Sequence, residues 1–225
     1  MIEWFQEVFS NPAISQKLPE ATFETLAMTL GAGFFAAVGG LPLGVTLYAT
    51  SSTGIRPQRT VNNVVGTIVN IGRSIPFLIL VISIIPFTRF VVGTSIGWQA
   101  ATLPLAIGAI PFYARLVEQS LREVSSGTID AVRVQGATRM QLCWTLVRES
   151  LPSLVSGLTV TVVTLVSYTV MAGAVGGGGL GQLAMNYGYS RFSGDVMLVT
   201  VVVIVILVQG LQFIGDRMSR LIDHR

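Results

Sequence analysis

The chain has 225 residues, of which 51% are hydrophobic and 11% charged, with mean hydropathy +0.69 and a formal net charge of +3. A soluble domain solvates its surface with about 25% charged residues, so this composition excludes one and identifies a membrane protein. A hydrocarbon core about 30 Å thick takes roughly 20 apolar residues per helical span, which leaves room for four to six spans and no large soluble domain.

The opening MIEWFQEVFS is acidic and aromatic and lacks the basic and apolar regions of a cleaved signal, so the first span is expected to direct insertion itself. That span runs from about Phe23 to Ala49, where the polar, proline-bearing TSSTGIRPQRT stops it. The second covers about Val65 to Phe87 and is broken by Pro76 and Pro86; the third covers about Ile96 to Val117 with Pro104 and Pro111. The fourth is about Leu154 to Ala174 and the fifth, VMLVTVVVIVILVQGLQFI, is Val196 to Ile214. A valine and isoleucine run of that kind also fits a buried strand, but its length selects a spanning helix. The expected fold is therefore an all-α integral membrane protein of five transmembrane helices, a single transmembrane domain over residues 1–225.

Orientation follows from where Lys and Arg fall, because basic residues are retained in cytoplasmic loops. With the N-terminus outside, the cytoplasmic set is Arg56, Arg59, Arg115, Arg122, Arg133, Arg139, Arg148, Arg217, Arg220 and Arg225; the external set is Lys17, Arg89 and Arg191, and Arg73 stays in span two. The bias gives N-out and C-in. It also explains the modest net charge by topology and leaves no basic soluble face for a nucleic acid.

Between spans three and four, at about residues 122–152, lies the polar insert SSGTIDAVRVQGATRMQLCWTLVRE, which this orientation puts in the cytoplasm. Thr128 is the expected cap of a short helix with Asp130 in its first turn, where a carboxylate meets the positive end of the helix dipole. Gly136 ends it, and Thr138 with Gln141 forms a T-x-x-Q capping box that opens a second helix towards Arg148. Ile129, Val132, Met140, Leu142 and Trp144 give the pair an apolar face that two short helices cannot bury alone. Amphipathicity leaves two occupants for that face, lipid headgroups or a protein groove.

The order of residues distinguishes them. The run DAVRVQGATRMQ resembles the EAA loop of the membrane subunits of ATP-binding cassette importers, whose pattern is E-A-A, three residues, G, nine residues, then I-x-L-P. Asp130 stands for the glutamate, Ala131 matches, Val132 replaces the second alanine, Gly136 falls in place and Leu146 fits the isoleucine. Arg148 and Glu149 occupy the Leu-Pro positions, and Pro152 comes three residues late. In that family the loop is a coupling helix docked on a separate ATPase, so the resemblance implies that Thr128, Ile129, Asp130, Ala131, Val132, Arg133, Gly136, Ala137, Thr138 and Met140 transmit nucleotide-driven motion.

The resemblance covers roughly Thr22 to Asp216. FETLAMTL, NIGRSIPFLILV, IPFTRFVVGTSIG, LREVSSGTIDAVR, AVGGGGLGQLAMNYGY and FIGDRM are similar to stretches of the methionine importer permeases, homodimers of five-span chains. It implies a homodimer in the bacterial cytoplasmic membrane, two copies of an ATPase subunit, an extracytoplasmic methionine-binding protein, surrounding membrane lipid, and import of methionine, the L form and by extension the D form, by alternating access. ATP and Mg then belong to the partner, and this chain, which has no phosphate-binding loop and is not an enzyme, needs no cofactor. The alternatives are an importer of the same class for another amino acid or small solute, or an ion-coupled carrier; the latter calls for paired inverted repeats with broken helices or a dense set of intramembrane carboxylates.

Other candidates carry two readings each. Arg73 either faces an aqueous pathway or snorkels beside Pro76. Met171 is expected to narrow a gate with its twofold mate, against the ordinary use of methionine in packing. Tyr168, with Ser167, Thr164 and Thr161, recurs at helical spacing and either lines the pathway or satisfies neighbouring helices. Gly176, Gly177, Gly178 and Gly179 suit a hinge or a close backbone approach, against an external turn. Asn62, Asn63 and Asn70 fit helix-to-helix hydrogen bonds. No catalytic constellation is expected, and the single histidine, His224, and single cysteine, Cys143, exclude a metal cluster and an intrachain disulfide.

Overall fold

The computed structural model describes residues 13–223. The opening MIEWFQEVFS, His224 and Arg225, on which the signal, metal and part of the charge readings fell, lie outside the described residues. These are helical, with no strand. A turn of π-helix at Ala13–Lys17 leads into α1, Leu18–Thr50; α2 is Arg59–Ser74, α3 Phe77–Ser83 and α4 Ile85–Val92. The long α5, Trp98–Arg122, is followed by the short pair α6, Ser126–Val134, and α7, Arg139–Glu149. Then come α8, Leu151–Ala174, the single turn α9, Gly179–Leu183, a π-helical segment Ala184–Tyr189, and α10, Gly194–Ile222.

Four of these stretches, Ala13–Thr50, Trp98–Arg122, Leu151–Ala174 and Gly194–Ile222, are long and apolar enough to cross a membrane. The expected second span is broken at Pro76, as its sequence requires. It is two helices, α2 and α3, bent by 96° and passing the same test only together. Ile75 causes the break: a residue before proline is pushed out of the helical region, and here it is extended at φ −78°, ψ 121°. Pro42, Pro104 and Pro111 leave their helices continuous.

The chain clusters into two compact units. The first holds residues up to Gly33, Pro76–Ile107 and Val162–Leu211. Its core gathers Ile14, Ala21, Leu180, Leu183 and Val196. Aromatic contacts add to it, Phe77 stacking on Tyr168 with centroids 4.5 Å apart.

The second unit holds Phe34–Ile75, Gly108–Thr161 and Gln212–Arg225. Here α1 meets α5 through a G-x-x-x-G pair. A Cβ on Gly40 would lie 2.9 Å from Tyr113, and one on Gly44 2.5 Å from both the Ala114 carbonyl and Val117. The two backbones approach because those side chains are missing, the means of packing helices in lipid, where burial of apolar surface gives no advantage. Several hydroxyls in the spans bond back to their own helix, as Thr46 does to Pro42 O at 2.8 Å and Thr50 to Thr46 O at 2.7 Å. Asn62 also behaves structurally, donating to Leu47 O at 2.7 Å.

Replacing Gly44 by valine is expected to cost about 1–3 kcal/mol, because the obstructing atoms are backbone and cannot give way. Gly210, whose Cβ would meet nothing within 4 Å, should accept alanine without loss. Thermal unfolding of the two purified variants in detergent checks the contrast, and equal midpoints would refute the close crossing.

Candidate functional site

The loop between α5 and α8 folds as a helical hairpin of the expected outline. The cap of α6 is Ser125 and not Thr128: Ser125 has the extended backbone a cap needs, φ −60°, ψ 139°, and its Oγ accepts from Thr128 N–H at 3.2 Å. Thr128 is already the third helical residue, so its own side chain is too late to cap. Gly136 terminates α6 in the left-handed region at φ 76°. The capping box of α7 is complete, with Thr138 Oγ1 accepting from Gln141 N–H at 3.3 Å and Thr138 N–H donating to Gln141 Oε1 at 2.8 Å.

Burial divides the hairpin into a rooted side and an open side. Leu142 and Leu146 of α7 are buried. Ile129, Val132 and Ala137 are half-buried, whereas Ala131 is exposed. Val134, Met140 and Trp144 stand 89%, 79% and 69% exposed, a cluster of large apolar side chains on a segment otherwise polar enough to sit in water. Asp130 and Arg133 form an exposed i,i+3 ion pair at 3.6 Å, which contributes little to stability. Burial pushes the Cys143 thiol up from its ordinary value.

A charge network that the sequence reading missed stands at the base of this hairpin. Glu118 of α5 is 6% exposed, and its carboxylate accepts from Arg115 at 2.5 Å and from Arg122 at 2.8 Å. Arg115 is thereby held so that its second nitrogen, Nη2, donates to Asn70 Oδ1 on α2 at 2.7 Å. The helix that leads into the hairpin is thus tied by a charge-assisted bond to the helix that leads into the bend. The signal available in the sequence was R-x-x-E-x-x-x-R, Arg115 to Arg122, in which one carboxylate sits within reach of two guanidiniums on one helix face. Glu118 is the buried member, and its guanidinium partners are 27% and 46% exposed, so water screens part of the interaction.

In the first unit the glycine run forms a corner fixed at each residue. Gly176, Gly178 and Gly179 take φ of 90°, 80° and 72°, values that only glycine adopts without strain. Gly176 C=O accepts from Gly97 N–H at 2.9 Å, and Gly178 N–H donates to Gln182 Oε1 at 2.8 Å. Glu24 Oε2 accepts from Gly179 N–H at 2.6 Å and Thr25 Oγ1 from Leu180 N–H at 2.9 Å, so α1 caps the turn that follows the corner. A Cβ on Gly177 would press on Ala172 O at 2.7 Å and Ala101 at 3.0 Å. The backbone here approaches its neighbours closely.

Tyr168 is half-buried against Phe77, and Met171, one turn later, is 47% exposed. Arg73 is exposed in the last turn of α2, one residue before the break, and belongs to the other unit. Along α8, apart from Leu151 at its start, the exposed positions Ser156, Val160, Ser167, Met171 and Ala174 fall on one stripe at helical spacing. α10 exposes Leu198, Val201, Val202, Val205 and Ile206 instead. Acyl chains suit the second face; the small and hydroxyl-bearing face of α8 suits water or another helix.

Residues 40–225 match the family described as binding-protein-dependent transport system inner membrane component. The probable D-methionine transport system permease protein MetI of Vibrio cholerae is 49% identical over 212 residues, 94% of this chain and 94% of that protein. The methionine import system permease protein MetP of Bacillus subtilis is 46% identical over 222 residues, 98% of this chain and 100% of that protein. Among solved structures, an inward-facing MetNI methionine ABC transporter superposes with TM-score 0.90 at 50% identity, covering 92% of this chain and 96% of its counterpart. An amino acid ABC transporter solved with histidines shares the fold, at TM-score 0.72 and 16% identity over 96% of this chain and 97% of that one. With its helical hairpin, glycine corner and apolar helices, this chain belongs to the family of inner membrane components of binding-protein-dependent transport systems, multi-pass membrane permeases of ABC importers.

Proposed function

We propose that the chain is the transmembrane permease domain of a methionine importer, working as a homodimer with two copies of an ABC ATPase and fed by an extracytoplasmic methionine-binding protein. The cargo assignment is supported by relatives named for methionine transport at 49% and 46% identity. The observation that carries the coupling role is the exposed trio Val134, Met140 and Trp144 on a hairpin rooted by Leu142 and Leu146. A groove on the ATPase buries that trio, and the capped, short helices transmit its displacement without bending. ATP and Mg chemistry belongs to that partner, and this chain supplies no catalytic group.

The arginine distribution supports N-out and C-in, which places the hairpin in the cytoplasm. The exposed stripe of α8 then lines the passage between the two copies, with Met171 as its widest apolar side chain and the gate residue, while Arg73 stands at the cytoplasmic edge of the bend. ATP binding draws the ATPases together, the hairpins follow, and Glu118 and Arg115 pass the movement to α2 through Asn70. The passage changes its open side by this lever, with the glycine corner as a fixed point of the moving body.

Vesicles holding the permease with its ATPase and ATP on the hairpin side should accumulate labelled L-methionine, competed by unlabelled methionine; the permease alone should not. Uptake without the ATPase would overturn the reading. V134D and M140D, which put charge into the docking trio, should weaken retention of the ATPase during purification by at least about tenfold, since each buries an unpaired carboxylate. Asn70→Ala should leave assembly and ATP hydrolysis in place while lowering methionine moved per ATP severalfold, and Asn70→Asp, which keeps an acceptor for Arg115, should restore the ratio.

A further inference from the structure

One threonine of the first unit departs from the habit of its neighbours. Thr102 and Thr200 turn their hydroxyls back to the carbonyl four residues earlier, at 2.8 and 2.7 Å. Thr88 of α4 is 4% exposed, yet its Oγ1 meets no hydrogen-bond partner among the described residues. Burying a hydroxyl in that state is unfavourable, so the group calls for a partner that the side chains and backbone around it do not supply. Thr88 lines a recess between α4, the start of α5 and the end of α8, with about 20 Å³ open to the centre of a water molecule.

The same recess is lined by both ends of a hydrogen bond that α5 cannot make. Pro104 sits inside that helix without interrupting it and, having no N–H, gives none to the carbonyl of Ala100 four residues back. Ala100 and Pro104 both border the space, and the hydroxyl of Ser95, half-buried just before α5, borders it too. Gly177 closes another side, where a Cβ would press on Ala101 at 3.0 Å. A donor in need of an acceptor and an acceptor in need of a donor thus share one small, enclosed volume. Proline inside a spanning helix is tolerated where something else serves the carbonyl it frees, an ordered water among the means.

Size decides what bridges the two. A water needs about 10–15 Å³ on this measure and two to four polar partners, and the recess supplies the room and three such groups. A solute the size of an amino acid needs a pocket of roughly 300 Å³ or more. We infer that the recess is a binding site for a single ordered water, which accepts from Thr88 Oγ1 and donates to Ala100 O and Ser95 Oγ. Donors and acceptors then balance: one proton comes from the threonine, and the two of the water go to the carbonyl and the serine. The water returns to α5 the bond that Pro104 removes, and it does so by way of α4, so it joins those two helices beside the glycine corner. The assignment is independent of the transport reading.

The test is the sign of a stability change in the full-length permease in detergent. Thr88→Val keeps the shape of the side chain and removes its hydroxyl. With a water held there, the midpoint of thermal unfolding should fall by about 2–4 °C; a rise, the result of deleting an idle buried hydroxyl, would overturn the site. Pro104→Ala gives Ala100 O a donor within the helix and takes it from the water, so Thr88→Val in that background should cost less than about 1 °C. The full penalty persisting there would assign Thr88 another role and overturn the inference. Midpoints should be equal in sodium chloride and choline chloride at one ionic strength, and a gain in sodium alone would give the oxygens to a cation instead. An experimental density map that resolves waters should show a peak within roughly 2.5–3.2 Å of both Thr88 Oγ1 and Ala100 O. A map with waters elsewhere and none at that position would end the proposal.

Discussion

Hydrocarbon offers no hydrogen bonds, so backbone groups and most polar side chains carried into the spans are satisfied by the chain, with Thr29 Oγ1 a buried exception, and much of this architecture follows from that requirement. Thr25 shows its economy: the hydroxyl donates to Ala21 O at 2.9 Å and accepts from Leu180 N–H at 2.9 Å, so one side chain serves its own helix and caps another. Glu24 beside it occupies the amide of Gly179, which a turn in the left-handed conformation would otherwise present bare. Asn62 closes the carbonyl of Leu47. Polar residues in the spans thus fix where helices meet, while glycines such as Gly40 and Gly44 fix how closely.

The hairpin at Ser126–Glu149 obeys the opposite rule. It sits outside the long spans, holds its own ends with Ser125 and the Thr138–Gln141 box, and still turns Val134, Met140 and Trp144 outward. An apolar cluster in water is unfavourable unless something covers it. Two short helices cannot bury it themselves, and their rigidity makes them poor at rearranging to do so. Rigidity and an uncovered face are the two properties a lever needs. The Glu118 network extends them inward, because a buried carboxylate between two guanidiniums leaves Arg115 few alternatives to Asn70.

What the sequence made legible was what depends on local chemistry. The T-x-x-Q box, the stop at Gly136 and the four continuous spans need only neighbours along the chain, and each stands where the pattern placed it. Pro76 marked the break in the span from Val65 to Phe87, but the size of the bend, 96°, depends on how the two limbs pack and could not be read from composition. Ser125 was overlooked as the cap because Ser125, Ser126 and Thr128 all carry a suitable oxygen, and only backbone angles separate them. Glu24 and Glu118 were passed over for a deeper reason. Their partners, Gly179 and the pair Arg115 and Arg122, are set by where helices come to lie and by rotamer choice, and 155 residues separate the first pair.

Three carboxylates of this chain differ in how fully they are committed. Glu118 is held by two charged donors and is out of reach of any solute. Glu24 holds one backbone N–H at 2.6 Å and is half-buried, a cap with its remaining oxygen directed elsewhere. Glu123 is exposed and holds the hydroxyl of Ser153 at 3.4 Å, at the long end of a hydrogen bond. The two tightly held carboxylates, Glu24 and Glu118, belong to the frame that fixes where helices meet.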